Sequence, residues 1–268
     1  MSATVSATAR RDRRPRRAAL VAVLSAAVAL GATACGSSAG DSGGDKPKAT
    51  GPFGDMSAAQ ILDKAVATTK GARSLTVVLD GKTADGPMKG HLSTDVQGRC
   101  TGTMTVGAAG AADLIRPVEP TDKHVYLRFD EAALKEQSKD EPAEVQAEVV
   151  KAMKGRWLMS DADSPDARDM LDLCDLKKMT ADFEQDSAGA VKGTETTIDG
   201  TKALSLTLDY KDGEKDTFYV ATEGKPYLLR VVTTGGDEPG TVSFTGFEKP
   251  VTATAPAMKD VIDEKTLG

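Results

Sequence analysis

Apolar positions recur along this chain with a period that changes from helical to alternating, back to helical, and to alternating again. Ser57-Ala58-Ala59-Gln60 has the form of a capping box, and Ile61, Leu62, Ala65, Val66 and Thr69 follow at helical spacing up to Gly71. One amphipathic helix therefore opens the folded part. Four short segments then alternate: 74–80, 88–96, 100–106 and 123–130. Leu75, Val77 and Leu79 interleave with Thr76 and Val78, and Val125, Leu127 and Phe129 with Tyr126, Arg128 and Asp130. This pattern predicts strands of an antiparallel sheet, with Asp80-Gly81 and Asp85-Gly86 at tight turns. Between residues 131 and 183 the period is helical again: 131–137, 142–153 with Gly155 past its end, a helix opened by Ser164-Pro165, and a face continued by Leu176, Met179 and Phe183. Trp157, beside Leu158 and Met159, reads as the end of one of these helices. The last third returns to strands at 193–198, 202–210, 216–222, 227–232 and 241–247. Asp199-Gly200, Asp212-Gly213 and Glu223-Gly224 separate several of them, which predicts a meander of hairpins. Leu204, Leu206, Leu208 and Tyr210 share one face there, so one side of the sheet is packed and the other wetter. The tail after Pro250 reads as extended.

The N-terminus has a different character. Six arginines between Arg10 and Arg17 precede an apolar run from Ala18 to Leu30 and the small residues Ala32-Thr33-Ala34-Cys35, the order of a secretory signal. The run is shorter than the ~20 residues that span a bilayer. Ala32 to Cys35 resembles the lipobox of bacterial lipoproteins, although that motif usually has Leu where Ala32 stands. The resemblance implies cleavage before Cys35 and acylation of its thiol, each buried CH₂ contributing about 0.8 kcal/mol to membrane anchoring. The alternative is an ordinary cleaved signal with a free Cys35. Arg16-Arg17 leaves the Sec or Tat route open. The resulting organisation is a signal peptide over 1–34, a polar tether over 35–55 rich in Gly and Ser, and a single domain over 56–268.

Charge and cysteine content narrow the functional classes. Loss of the signal removes six arginines and Asp12 and takes the net charge from −6 to −11, a balance that disfavours nucleic acid as a partner. Export places Cys100 and Cys174 in an oxidising compartment, where a bridge between them is expected; the rival is two separate buried thiols. Catalytic patterns are not compelling. Gly36-Ser37-Ser38-Ala39-Gly40 has the spacing of a nucleophile elbow but lies in the tether. His91 and His124 lack the spacings of metal motifs, the aspartates between Trp157 and Leu176 lack the glycine and distal glutamate of a calcium loop, and no phosphate-cradling glycine motif occurs. These readings predict a non-enzymatic protein with no cofactor and no metal.

Three strand-and-turn segments carry a wider resemblance: Ser74-Leu75-Thr76-Val77, the run from Gly193 to Gly200, and Phe218-Tyr219-Val220 leading to Gly224-Lys225-Pro226-Tyr227-Leu228-Leu229-Arg230. With the element order, they resemble the LppX/LprG/LolA-like bacterial lipoprotein superfamily. The resemblance implies an α+β fold, an antiparallel sheet curved into an open half-barrel with helices covering its concave face. It also implies a membrane-anchored protein on the outer face of the cell membrane, attached through acylated Cys35, that binds or carries a lipid or acyl chain in an apolar groove. A monomer is expected. The residues expected to line the groove are Val77, Leu79, Leu127, Met153, Trp157, Leu206, Leu208, Leu229 and Phe244. The alternative is an envelope interaction or sensor module with a solid core and no ligand.

Overall fold

The computed structural model describes residues 52–267 apart from 84–85, 108, 119–122, 182–185 and 212. The signal segment, Cys35 and the tether up to residue 51 lie outside the described residues. The capping box is present: Gln60 N donates to the Ser57 hydroxyl, and Ser57 N donates to the Gln60 side chain, starting helix α1 (Ala58–Lys70). Strands β1 (Ser74–Thr83), β2 (Gly86–Asp95), β3 (Cys100–Val106), β4 (Ala111–Arg116) and β5 (His124–Phe129) follow. Next come helices α2 (Glu131–Gln137) and α3 (Ala143–Met153), strand β6 (Trp157–Asp161), and helices α4 (Pro165–Asp172) and α5 (Leu176–Ala181). Strands β7 (Val191–Ile198), β8 (Thr201–Asp209), β9 (Lys215–Ala221), β10 (Leu228–Thr234), β11 (Gly240–Thr245) and β12 (Val261–Asp263) complete the chain.

All twelve strands form one open sheet in the order β12-β6-β5-β4-β3-β2-β1-β11-β10-β9-β8-β7. The β1–β11 pair sits near the middle, with Val77 opposite Phe244. One hairpin meander runs outward from β1 to β6 and the other from β11 back to β7. Among the described residues every pairing is antiparallel except β12 with β6, where Val261 stands opposite Trp157. The fold is the α+β open half-barrel expected from the resemblance in the sequence.

Glycines explain where the wall can curl. Gly240 and Gly81 are direct cross-strand partners. Gly90 and Gly102 continue the line diagonally through β2 and β3, all on the face shared by Val77 and Leu92. A Cβ on Gly240 would lie 2.8 Å from Gly81 Cα, one on Gly90 would lie 2.7 Å from Thr103 O, and one on Gly102 would overlap the His91 carbonyl oxygen. The strands approach too closely along this crease for any side chain, as at a bend in a barrel wall.

Three local expectations change. Asp80-Gly81 is not a turn but part of β1, because Gly81 is held between Met88 and Gly240. Strand β4 escapes the alternation test because its six residues, Ala-Ala-Asp-Leu-Ile-Arg, contribute mixed side chains to both faces. The helical insert is interrupted by β6. Gly155, at φ 77°, turns the chain out of α3, and Trp157 enters the sheet instead of ending a helix. The Asp199-Gly200 turn stands as expected, with φ of 47° and 84° joining β7 to β8.

Candidate functional site

Alternate residues of each strand face the helices, and they form two adjoining apolar clusters. Helix α1 lays Ile61, Leu62 and Ala65 against Leu75, Leu206, Phe218 and Phe244. Ala167 and Leu171 of α4 cover Leu92, Leu114, Val125 and Leu127. Met179 of α5 packs against both clusters. The cover is tied to the wall by the Cys100–Cys174 disulfide, Cα–Cα 5.4 Å, and by the Thr94 hydroxyl, which donates to Cys174 O at 2.6 Å.

Of the nine residues expected to line a groove, Val77, Leu206, Leu208 and Phe244 lie together in the first cluster with Leu79 packed beside them, and Leu127 lies in the second. The other three go elsewhere. Trp157 is on the opposite face, packed with Tyr126 and Val261 beneath the Arg128 guanidinium, whose carbon stands 4.5 Å from the ring centroid. Its neighbour Leu158 takes the helix-facing position against Leu127. Leu229 also turns outward, onto Ala203 and Ala221, because a bulge between Leu228 and Arg230 shifts the alternation and leaves Leu228 facing α1. Met153 ends α3, half-buried, and belongs to none of these clusters.

The inner face is filled beside α1: Leu206 is 0% exposed and Phe244 1%. Alongside the glycine crease the same face carries an apolar strip across β11, β1, β2, β3, β4 and β5, with Val242 and Leu79 on the α1 side of Gly240 and Gly81, and Met88 and Met104 past Gly90 and Gly102. Val242, Leu79, Met88, Met104, Ala112 and Phe129 each keep part of their surface in solvent. Sequence reasoning missed the strip as a unit; its signal is the alternation of Met88 and Gly90 with Lys89 and His91. The strip has a polar end. Asp216, buried on the helix-facing side of β9, accepts hydrogen bonds from Thr233 Oγ1 at 2.6 Å and Tyr210 Oη at 3.1 Å.

Five cavities of about 260 to 350 Å³ lie at the surface, and none of these five is lined by any of the nine residues. His91 is exposed on β2, and His124 Nε2 lies 3.3 Å from the Asp161 carboxylate. Hydrogen bonding by Lys265 holds that carboxyl below its usual range. Among the described residues no group of three or more His, Cys, Asp or Glu could hold a metal ion, and no helix is long and apolar enough to cross a membrane.

No protein-family model and no curated protein matches the chain. Among solved structures it is similar to LprF from Mycobacterium bovis, at 16% identity over 75% of this chain and 97% of that one, with a TM-score of 0.48. It is also similar to the lipoprotein LppX from Mycobacterium tuberculosis, at 11% identity over 74% and 98% of the two chains, with a TM-score of 0.45. A LolA superfamily protein from Nitrosomonas europaea aligns at 8% identity over 74% and 95%, with a TM-score of 0.18. The open α+β half-barrel stands on this chain's own strand order and helical cover.

Proposed function

We propose that the protein is an extracytoplasmic lipoprotein, held at the outer face of the cell membrane by acyl chains on Cys35, that binds a hydrophobic ligand such as a lipid acyl chain on the concave side of its half-barrel. The observation that carries this reading is the half-buried strip from Val242 to Phe129, which crosses six adjacent strands. At ~4.8 Å per strand it is about 24 Å long. Met88 and Met104 give it a soft, polarisable surface that adapts to a flexible chain. Burying an acyl chain there contributes about 0.8 kcal/mol per CH₂. Shape and apolar area do the work, and no catalytic group is required.

A second reading, an envelope interaction or sensor module without a ligand, is favoured by the filled interior around Leu206, Phe218 and Phe244. Organic extraction of protein purified from membranes, followed by mass spectrometry, separates the two. The carrier reading expects a lipid released in stoichiometric amount from the wild type and lost from Met104→Asp. Protein that yields no lipid, yet recovers one constant protein partner in a native pull-down, overturns it in favour of the second reading.

A further inference from the structure

The polar end of the apolar strip holds a carboxylate without a counter-charge. Asp216 is 4% exposed and is the one buried Asp or Glu among the described residues. Its Oδ1 accepts from Thr233 Oγ1 at 2.6 Å and its Oδ2 from Tyr210 Oη at 3.1 Å. Both donors are neutral hydroxyls, and among the described residues no Lys, Arg or His forms an ion pair with it. The less deeply buried Asp95 and Asp113 do have cations, Arg99 at 3.4 Å and Arg128 at 2.8 Å. Lys215, next to Asp216 in the chain, pairs instead with Asp209 at 3.2 Å.

Burial strips a carboxylate of water, and two hydroxyl bonds recover only part of that hydration, so a buried charge is ordinarily offset by an opposite one. Each oxygen of an ionised carboxylate has two acceptor positions, and one on each oxygen of Asp216 remains. Its place in the sheet connects it to the strip. Asp216 stands opposite Thr233, Thr233 opposite Gly240, Gly240 opposite Gly81, and Gly81 opposite Met88. The two glycines put no side chain between Thr233 and Met88, and both keep part of their surface in solvent. Across four strand spacings of ~4.8 Å, Met88 lies about 19 Å from Asp216. Val231, half-buried between Val242 and Phe218, keeps the neighbouring rung apolar.

We propose that Asp216 is the headgroup site of the groove and that the ligand is a lipid whose head carries a protonated amine. The proposal rests on the acyl-chain reading and deepens it: the strip takes the chain, and Asp216 takes the ammonium. An ammonium brings three donors and the missing positive charge, enough to fill the open position on both oxygens. A hydroxyl head brings a single donor and no charge. Thr233 and Tyr210 are each only half-buried, so rotation of Tyr210 opens the carboxylate to the groove.

The test loads the delipidated full chain from vesicles of dioleoyl phosphatidylethanolamine and dioleoyl phosphatidylglycerol in equal amounts. The protein is recovered in detergent on an affinity tag, extracted, and its lipid measured by mass spectrometry. The two lipids share chains and phosphate and differ in an ammonium against two hydroxyls. Wild type is expected to retain the ethanolamine lipid about tenfold over the glycerol one. The ratio should fall towards one in Asp216→Asn, which keeps an oxygen to accept a hydroxyl bond but loses the charge. Should that variant misfold, carbodiimide coupling of the bound ethanolamine amine in the wild type, mapped by peptide mass spectrometry, is expected at Asp216. Equal retention of the two lipids, a preference unchanged in Asp216→Asn, or coupling only at exposed carboxylates such as Asp237 and Glu238 overturns the proposal and leaves the acyl-chain reading standing. Retention of neither lipid overturns both.

Discussion

Truncating Leu206 to Ala asks whether the wall beside α1 is a filled interior. The side chain is 0% exposed, faces its cross-strand partner Phe218, and packs with Ile61, Leu62 and Phe244. Removing three buried carbon groups loses about 2.4 kcal/mol of transfer free energy at ~0.8 kcal/mol each. A residual cavity of ~50 Å³ adds about 1.2 kcal/mol at ~24 cal/mol per Å³, for a total of about 3 to 4 kcal/mol. For a domain of this size that lowers Tm by roughly 6 to 16 °C. Urea and thermal unfolding of delipidated wild type and variant measure it, because a bound lipid would stabilise only the folded state. The midpoint should move while the m-value stays constant. Met104→Ala is the control on the strip: half-buried, it should cost about 1 kcal/mol or less while weakening lipid retention. A Leu206→Ala cost below about 1 kcal/mol would refute the filled interior and return the ligand space to the α1 side.

Two further outcomes follow from the geometry. Gly102→Ala forces a Cβ into the His91 carbonyl across the crease, so it should destabilise by about 2 to 4 kcal/mol, read by urea midpoint, whereas Gly71→Ala, at φ −82° with no atom nearer than 3.4 Å to the new Cβ, should cost less; equal costs would remove the crease as the cause. Glu248 is held at a pKa of about 2, mainly by the hydrogen bond from Arg73 and then by those from Tyr227 and Lys225. Its stabilisation is present above the ordinary carboxyl value of 4.5 and is lost as pH falls towards about 2. Glu248, with its side chain 27% exposed, supports partners that are mostly in solvent, so Glu248→Gln should cost about 1 kcal/mol at neutral pH. That deficit should close between pH 4.5 and 2 in thermal melts, and a pH-independent deficit would contradict the charge argument.

Local chemistry was readable wherever one residue type answers to one backbone need. Ser57 and Gln60 cap α1 because their side chains satisfy the first free amides of a helix. Asp199-Gly200 turns β7 into β8 because both residues tolerate positive φ. Leu206, Leu208, Val77 and Phe244 meet on one face because a strand alternates its side chains whatever it pairs with. Alternation fails where the pairing itself shifts. The bulge after Leu228 sends Leu229 outward, and Trp157, once in β6 rather than a helix, takes the face opposite Leu127. Strand β4 and the three-residue β12 carry too little pattern to be seen before their neighbours β3, β5 and β6 supply hydrogen-bond partners.

By itself, the amino-acid order determined the succession of elements, the capping and turn positions, the apolar face of the central strands, and the two cysteines available for a bridge. Tertiary structure decided which segments become neighbours: β1 beside β11 at the middle of the sheet, Cys174 over Cys100, and Arg116 against Gly98. It also decided that the space beside α1 is filled while the strip alongside the glycines stays partly open. The physical reason is range. Caps, turns and alternation are set by interactions within a few residues, whereas filling, crease and charge placement depend on strands and helices that meet only after the chain has closed long loops.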